Sequence, residues 1–263
     1  MAKRSLEGAR YLLTGASSGI GRALAMQLSQ RGAKLFVTAR REDRLAELAA
    51  EAKRTKAQII FSAGDITDSG FRESVVAQAL KPWQGQLDGL INAAGVGYFG
   101  DFPESSANEI EATINVDVIA PLELARLCIP ALAKGTKPLI VNIGSVLGHV
   151  PAPRKAAYVA SKFAIRGFSD SLRMELAPKG IDVLHVSPST TATEFFDIAT
   201  DDAHLKTKML KRAMTPEQVA IEIVAGMRHG KRELVLSAGG RWLVRLHHFF
   251  PRLAERLMAK YAD

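Results

Sequence analysis

Cysteine is nearly absent from this chain, because Cys128 is the only one among 263 residues. One cysteine cannot form an internal disulfide, so the fold must depend on a hydrophobic core, and the composition suits a reducing compartment. Apolar runs long enough to cross a membrane are also missing. The basic opening "MAKRSLEGARYLLTGA" contains too short an apolar run for a secretion signal. These absences predict a globular, cytoplasmic protein.

Acidic residues are fewer than basic ones: the chain has 27 aspartates and glutamates and 35 lysines and arginines, which gives a net charge of +8. Such a charge is compatible with nucleic acid, an anionic membrane surface or a phosphorylated ligand. The basic residues cluster beside a glycine-rich turn and in the C-terminal tail, not along a groove interleaved with aromatic residues. This distribution argues against a nucleic-acid partner. No metal site is predicted.

Short apolar runs alternate with longer segments of helical periodicity. The runs predict strands at 10–14, 34–39, 58–62, 87–92, 138–144, 181–187 and 233–237. Helices are predicted at 20–31, 41–54, 69–80, 106–133, 154–177 and 216–229. Several runs are apolar at consecutive positions, which is typical of strands buried on both faces. The fold class is therefore α/β, a doubly wound parallel sheet of Rossmann-like type.

The same pattern predicts one domain over residues 1–238 and a basic, amphipathic, helical C-terminal extension over residues 239–263. No long polar linker divides the first part. Residues 188–215 have weak periodicity and several threonines. We expect this segment to be a mobile lid over a site.

A glycine-rich turn, "TGASSGIG" at residues 14–21, lies between the first predicted strand and the first predicted helix. Gly15 permits the tight turn, Gly19 allows close approach to a phosphate, and Gly21 lets the helix pack on the sheet. The helix N-terminus then offers free N–H groups to a pyrophosphate. Any tight strand–helix turn also favours glycine. The predicted dinucleotide contacts are Gly15, Ser17, Ser18, Gly19, Ile20 and Gly21.

An acid is missing at the end of the second strand, where NAD-binding folds usually carry one for the ribose hydroxyls. The chain has Thr38 and Ala39 there, followed by Arg40 and Arg41. A guanidinium at this place can bind a 2′-phosphate, so we predict NADP(H) with Arg40 as the main contact and Arg41 as its partner. The alternative is that both arginines are solvated residues of the next helix.

The segment "AGDITD" follows the third strand. Asp65 is placed to accept a hydrogen bond from an adenine amino group, with Ile66 beside it. An acid in a helix N-cap region is an equal alternative.

Further motifs complete a family pattern: "NAAG" at 92–95, Asn115 in "TINVDVIAP", Ser145, and "YVASK" at 158–162. Together with the glycine-rich turn, they resemble the short-chain dehydrogenase/reductase family, classical type. The resemblance runs from about residue 8 to 200, with Ala93 where the family usually has a second asparagine. It implies the fold above, catalysis by Asn115, Ser145, Tyr158 and Lys162, and a homodimer or homotetramer built on the helices at 106–133 and 154–177. It further implies cofactor contacts from Asn92, Ala93, Gly95, Tyr158, Lys162, Pro188 and Thr193.

The spacing of Tyr158 and Lys162 gives the resemblance a chemical basis. They lie four residues apart, on one face of the predicted helix. A tyrosine pKa near ~10 must fall for the phenol to act as a base at neutral pH, and a nearby ammonium favours the phenolate. By resemblance, Ser145 would bind the substrate oxygen, and Asn115 would kink its helix and hold a water for proton replacement. The alternative is a solvated helix pair.

One position departs from the family pattern. Ser189 stands after Pro188 where the family usually has glycine, although Thr193 keeps the place of the residue that holds the nicotinamide carboxamide. We expect this loop's contacts to be altered by the added side chain.

An apolar mouth is predicted for the site, which favours a lipophilic or aromatic carbonyl or alcohol. Its residues are Val96, Tyr98, Phe99, Val146, Leu147, Phe195 and Phe196. Such residues also serve simply as core, and His149 nearby is more often incidental than a substrate contact. The leading interpretation is an NADP(H)-dependent oxidoreductase that interconverts a carbonyl and an alcohol. The alternative is a non-catalytic NADP-binding or membrane-surface regulatory protein.

The tail combines apolar residues at helical spacing with arginines, and Pro251 should kink or split its helix. A basic amphipathic helix of this kind can contact an anionic membrane peripherally, or it can pack on protein. We favour packing.

Overall fold

A computed structural model describes residues 3–54, 58–200, 207, 210 and 213–262. Its centre is a seven-stranded parallel sheet with the order β3-β2-β1-β4-β5-β6-β7. The strands are β1 (Arg10–Thr14), β2 (Lys34–Ala39), β3 (Ile59–Ala63), β4 (Gly89–Asn92), β5 (Leu139–Ile143), β6 (Asp182–Ser187) and β7 (Glu233–Val235). The chain reverses its direction of winding between β1 and β4. Parallel sheets place a ligand crevice at the carboxyl ends of the strands at such a point.

Helices cover both faces of the sheet, which confirms the predicted doubly wound α/β class. They are α1 (Gly19–Ser29), α2 (Glu42–Arg54), α3 (Ser69–Leu80), α4 (Ala107–Ile114), α5 (Ala120–Leu132), α6 (Ala156–Leu176), α7 (Phe195–Ala199), α8 (Pro216–Arg228), α9 (Ala238–Phe249) and α10 (Pro251–Ala262). Buried side chains of α1, α2 and α8 form one core, and those of α3, α5 and α6 form the other.

The consecutive apolar residues of the central strands are explained by these two cores. Along β1, Leu12 packs into one core while Tyr11 and Leu13 pack into the other, and all three are fully buried. Since successive side chains of a strand point to opposite faces, a strand covered on both sides needs apolar residues at every position.

Several element boundaries differ from the sequence-based prediction. The strand predicted at 87–92 begins at Gly89, and the side chain of the preceding Asp88 accepts hydrogen bonds from Arg10 N and Thr136 N. The strand predicted at 233–237 ends at Val235, and Ser237 caps α9. The helix predicted at 106–133 is interrupted by a π-helical turn at Asn115–Ile119, which separates α4 from α5.

Within the predicted lid, residues 195–199 form α7. The remainder lies partly outside the described residues, at 201–206, 208, 209, 211 and 212.

The C-terminal extension is a pair of helices, α9 and α10, that contact each other. The first helix ends at Phe249, and Pro251 is the first residue of the second, as the sequence predicted. Ala254 is fully buried, whereas Phe249 and Phe250 are exposed. Among the helices of the described residues, none is long and apolar enough to cross a membrane.

Candidate active site

A cavity of about 930 Å³ lies at the carboxyl ends of the central strands. It is lined by the glycine-rich turn, by residues that follow β2, β4, β5 and β6, and by α6. The tail helices contribute side chains at its outer side. The predicted crevice therefore brings together the glycine-rich turn, Ser145, Tyr158 and Lys162.

The glycine-rich turn has the backbone shape that a bound phosphate needs. Gly15 has a φ of +72°, and a Cβ there would lie 2.6 Å from Ala94 N. Gly21 lies directly against the carbonyl oxygen of Gly15, where a Cβ would also clash. Ser18 is the N-cap residue of α1, but its side chain makes no capping hydrogen bond. The N–H groups at the start of α1 thus lack a side-chain cap, and this cradle fits a pyrophosphate.

Two arginines follow β2 and line the cavity, as predicted. Arg40 is exposed. Arg41 forms an ion pair with Glu194 at 2.8 Å and donates a hydrogen bond to Ser17 Oγ at 3.3 Å. The hydrogen bond from Arg41 lowers the pKa of the Glu194 carboxyl. Glu194 was not predicted as a site residue, because its partner is distant in sequence.

Not every predicted cofactor residue reaches the cavity. Asp65, Ile66 and Asn92 do not line it. Asp65 is exposed and accepts a hydrogen bond from Thr67 N at 2.8 Å. The N-cap residue of α3 is Asp68, so Asp65 lies in the N-cap region three residues earlier and does not itself cap the helix.

Asn92 is buried and acts between strands. Its Nδ2 donates to Asn142 Oδ1 at 2.8 Å, which links the end of β4 to β5. The other predicted cofactor residues line the cavity, namely Gly15, Ser17, Ser18, Gly19, Ile20, Gly21, Arg40, Arg41, Ala93, Gly95, Tyr158, Lys162, Pro188 and Thr193.

Ser145, Tyr158 and Lys162 lie together at the inner end of the cavity. Ser145 follows β5, and its Oγ accepts a hydrogen bond from Leu147 N at 3.1 Å. Lys162 Nζ lies 5.2 Å from the centre of the Tyr158 ring. The rings of Phe99 and Phe195 pack against Tyr158 with centroids 5.6 and 5.5 Å away.

The pKa of Tyr158 is raised above its ordinary value, because burial disfavours the phenolate. Lys162 and the hydrogen bond of Ser145 act in the opposite direction but do not overcome burial. As predicted, the Lys162 ammonium lowers the pKa of Tyr158. Its effect is not large enough to bring that pKa down towards neutral pH. The protonated phenol is therefore the resting form at neutral pH.

Asp117 is a site residue that sequence reasoning missed. Its Oδ2 lies 2.9 Å from Lys162 Nζ, and both side chains are buried. Burial lowers the pKa of Lys162, but the charges of Asp117 and Tyr158 and the hydrogen bond to Asp117 together outweigh burial, and the net pKa is raised. The only sequence signal was an acid among the apolar residues of the stretch "VDVIA". Asn115, two residues earlier, is exposed at the start of the π turn and does not line the cavity.

The mouth of the cavity is apolar, as predicted. Val96, Phe99, Val146, Leu147, Phe195 and Phe196 line it, whereas Tyr98 does not. The tail adds Trp242, Leu243, Leu257 and Met258, which sequence reasoning did not place there. His149 is buried away from the cavity and contacts Ser187 Oγ at 2.9 Å.

The loop after β6 packs against β5 and the glycine-rich turn. Val146 N donates to Pro188 O at 2.9 Å, and Thr193 lies against Gly19, where an added Cβ would be 3.0 Å from Thr193 Cγ2. Ser189 itself lines the cavity. Among the described residues, no group of His, Cys, Asp and Glu side chains is arranged to hold a metal ion.

The fold and the site define a dinucleotide-binding oxidoreductase of α/β type, and the comparisons name its family. The profile described as short chain dehydrogenase matches residues 10–203, so the chain belongs to the short-chain dehydrogenase family. SadH of Mycobacterium tuberculosis, named as an oxidoreductase, is 32% identical over 266 residues, which cover 97% of this chain and 95% of SadH.

Solved structures agree with this assignment. A short chain dehydrogenase from Burkholderia cenocepacia in complex with NADP is 28% identical, with a TM-score of 0.80 over 90% of this chain and 100% of that one. A short chain dehydrogenase/reductase from Burkholderia phymatum in complex with NAD has a TM-score of 0.86 over 96% and 97% of the two chains. Its identity of 24% makes it a likeness of fold alone.

Proposed function

We propose that the protein is an NADP(H)-dependent oxidoreductase that interconverts a carbonyl and an alcohol on a hydrophobic substrate. The observation that carries this proposal is the convergence of Ser145, Tyr158 and Lys162 in one cavity with an uncapped, glycine-lined helix N-terminus. A phenol beside an ammonium is the chemical arrangement expected of a proton donor to a carbonyl oxygen.

The residues of the site have distinct roles in this reaction. When bound, the nicotinamide supplies or accepts the hydride. Tyr158 gives its phenolic proton to the carbonyl oxygen during reduction and removes the hydroxyl proton during oxidation. Ser145 donates a hydrogen bond to the same substrate oxygen and stabilises its developing charge. Lys162 stabilises the phenolate left after proton transfer and binds the ribose hydroxyls.

A preference for NADP(H) is proposed because the end of β2 presents arginines and no carboxylate. Thr38 and Ala39 occupy the places where an acid would bind a ribose diol, and both are buried. The exposed guanidinium of Arg40 beside the cavity can pair with a 2′-phosphate. Solved relatives hold NAD or NADP, so the preference has to be tested on this chain.

The substrate is proposed to be a lipophilic or aromatic carbonyl compound or alcohol. Beyond Tyr158, the cavity is bounded by Phe99, Phe195 and Phe196, and the tail adds Trp242 and Leu243. Apolar side chains of this kind bind apolar substrate groups and leave few partners for sugar hydroxyls.

The tail is proposed to pack on protein as a wall of this cavity, in keeping with its lining side chains. Its outer aromatic residues and arginines are also compatible with an anionic membrane. If the protein is membrane-bound, it will cosediment with anionic vesicles at low salt and be released by salt. If the tail packs on protein, as proposed, the full-length chain will not cosediment with anionic vesicles.

A homodimer or homotetramer built on α4–α5 and α6 is also proposed. Exposed Ile119, Phe163 and Met174 on these elements support it, because an interface would bury them. Size-exclusion chromatography with light scattering tests this directly, and a monomer would contradict it. The cytoplasm is the proposed location, given the single cysteine.

The function is tested by following NADPH absorbance with a panel of hydrophobic ketones, aldehydes and secondary alcohols. We expect turnover with NADPH to exceed turnover with NADH for at least one hydrophobic carbonyl. The non-catalytic alternative predicts NADPH binding without turnover across the whole panel.

A further inference from the structure

Asp117 is a buried acid in direct contact with the proposed catalytic pair, although the mechanism above does not use it. Only 2% of the residue is exposed. Its Oδ2 lies 2.9 Å from Lys162 Nζ and accepts a hydrogen bond from Ser161 Oγ at 3.0 Å, while Oδ1 accepts one from Val96 N at 2.9 Å. Each carboxyl oxygen therefore has a hydrogen-bond donor, so the side chain is held at both oxygens.

The surrounding backbone is built to hold this carboxylate. Asp117 lies within the π turn at Asn115–Ile119, whose first and last residues are exposed while Asp117 points inward. Such turns insert a residue into a helix and redirect the side chains that follow. A Cβ on Gly95 would lie 3.3 Å from Asp117 Oδ1 and 3.5 Å from Lys162 Nζ, so the missing side chain leaves room for the ion pair.

Ser161 connects the carboxylate to the reactive residue by a second route. Its hydroxyl contacts the carbonyl oxygen of Tyr158 at 2.8 Å as well as Asp117 Oδ2. Asp117 is thus linked to α6 in two ways, by an ion pair with Lys162 and by a hydrogen bond from the Ser161 hydroxyl.

The groups that face Tyr158 come from several elements. Lys162 lies on its own helix, Asp117 on the π turn, and Ser145 at the end of β5. The loop after β4 and α7 present the uncharged rings of Phe99 and Phe195. Burial and Asp117 raise the pKa of Tyr158, whereas Lys162 and Ser145 lower it.

We propose that Asp117 is a positioning residue that anchors the Lys162 ammonium and offsets its charge, so that Tyr158 stays protonated and ready to donate to a carbonyl at neutral pH. This inference rests on the proposed acid–base role of Tyr158. Because a protonated Tyr158 can donate a proton but cannot accept one, the resting protein has the protonation state that carbonyl reduction requires.

The test measures the ionisation of Tyr158 in the full-length protein without substrate or cofactor. Tyrosine labelled with ¹³C at Cζ gives one resonance per residue, and Tyr158→Phe identifies the resonance of Tyr158. In Asp117→Asn, which keeps the shape and removes the charge, the midpoint should fall by about one pH unit or more relative to wild type. Ser161→Ala is the matched control, since it removes a hydrogen bond to the same oxygen but keeps the carboxylate, and its shift should be smaller.

An unchanged or raised midpoint in a folded Asp117→Asn protein would overturn the inference. Absence of titration in both proteins up to about pH 11, above the ordinary tyrosine pKa, would overturn it as well. If circular dichroism shows that Asp117→Asn does not fold, Asp117→Thr is titrated in the same way with the same criterion.

A second readout separates this inference from the proposed function. With a carbonyl substrate from the panel, the alkaline limb of kcat/KM for reduction should move to lower pH in Asp117→Asn, whereas a merely structural role would lower the rate at every pH without moving the limb. A shifted titration together with no turnover on any carbonyl would support the electrostatic role and contradict the proposed reductase activity.

Discussion

The cavity has two walls of different construction. The inner wall consists of strand ends, the glycine-rich turn and the first turns of α6, and its key groups are held by backbone shape and burial, as with Gly15 and Lys162. The outer wall consists of α7 and the tail helices, and it presents partly exposed apolar side chains such as Trp242, at 58% exposure, and Leu257, at 41%.

This difference in construction assigns the catalytic reaction to the inner wall and the selection of substrate to the outer wall. Groups fixed by backbone and by buried ion pairs can hold a cofactor and a proton donor to the accuracy that catalysis needs. Side chains on the outer wall contact whatever enters the mouth, so they can change without disturbing the reaction. We therefore expect substitutions in the inner wall to affect cofactor binding or chemistry, and those in the outer wall to affect the choice of substrate.

The largest effect is expected at Gly15. A side chain there meets Ala94 N at 2.6 Å on a backbone with φ of +72°, so Gly15→Ala should displace the turn from the cofactor phosphates. NADPH affinity should fall about a hundredfold or more, which corresponds to roughly 2.7 kcal/mol. Gly100→Ala is the control, because a Cβ at Gly100 meets nothing within 4 Å. Calorimetric titration with NADPH on folded proteins measures both, and near-normal affinity in Gly15→Ala would be incompatible with this account.

Behind the inner wall, two buried histidines should make stability depend on pH. Burial lowers the pKa of His149 to about 4 and that of His185 to about 3. Since the unfolded state binds these protons below about pH 6.5, stability is fully present above that pH and is lost as the pH falls. Each neutral histidine should contribute a loss of about 1.4 kcal/mol per pH unit between about pH 6 and pH 4.

Urea unfolding at pH 7 and pH 5 measures this loss. In His185→Gln the difference between the two pH values should shrink, and in His229→Gln, which replaces an exposed histidine, it should stay as in wild type. Equal differences in all three proteins would show that the buried histidines are not responsible.

Cofactor choice is the next effect in size. Loss of a charged bidentate contact costs about 1.5–3 kcal/mol, so Arg40→Ala should reduce the preference for NADPH over NADH about ten- to a hundredfold. Arg44→Ala is a matched control, because Arg44 follows on α2 and is exposed but does not line the cavity. Equal affinity of the unmutated protein for both cofactors would contradict the NADP assignment.

The smallest effects belong to the outer wall. Trp242→Ala should raise KM for a bulky hydrophobic carbonyl several-fold while leaving NADPH affinity unchanged, because the indole lines the mouth only. Phe250→Ala removes an aromatic residue of similar exposure that does not line the cavity, and it should leave KM unchanged. A large loss of NADPH affinity in Trp242→Ala would contradict the claim that the outer wall does not contribute to cofactor binding.

Much of the inner wall could be predicted from the sequence, because its signals are local. Consecutive apolar residues marked β1, the glycine spacing marked the turn, and the four-residue spacing of Tyr158 and Lys162 placed both on one helix face. The sheet and its two helical layers follow from the same periodicities.

Contacts between distant parts of the chain could not be predicted in this way. The pairing of Asp117 with Lys162, of Arg41 with Glu194, and the return of α9 and α10 to the cavity depend on the finished fold. The direction of the Tyr158 pKa shift depends on burial, which no local spacing reveals.

The central claim is that Tyr158 supplies the proton for carbonyl reduction, and Tyr158→Phe tests it most directly. The substitution keeps the ring and its contacts with Phe99 and Phe195 but removes the transferable proton. Single-turnover oxidation of bound NADPH by a hydrophobic carbonyl should slow by about a hundredfold or more, with NADPH affinity within a few-fold of wild type. Hydride transfer at a near-normal rate in this variant would show that Tyr158 is not the acid.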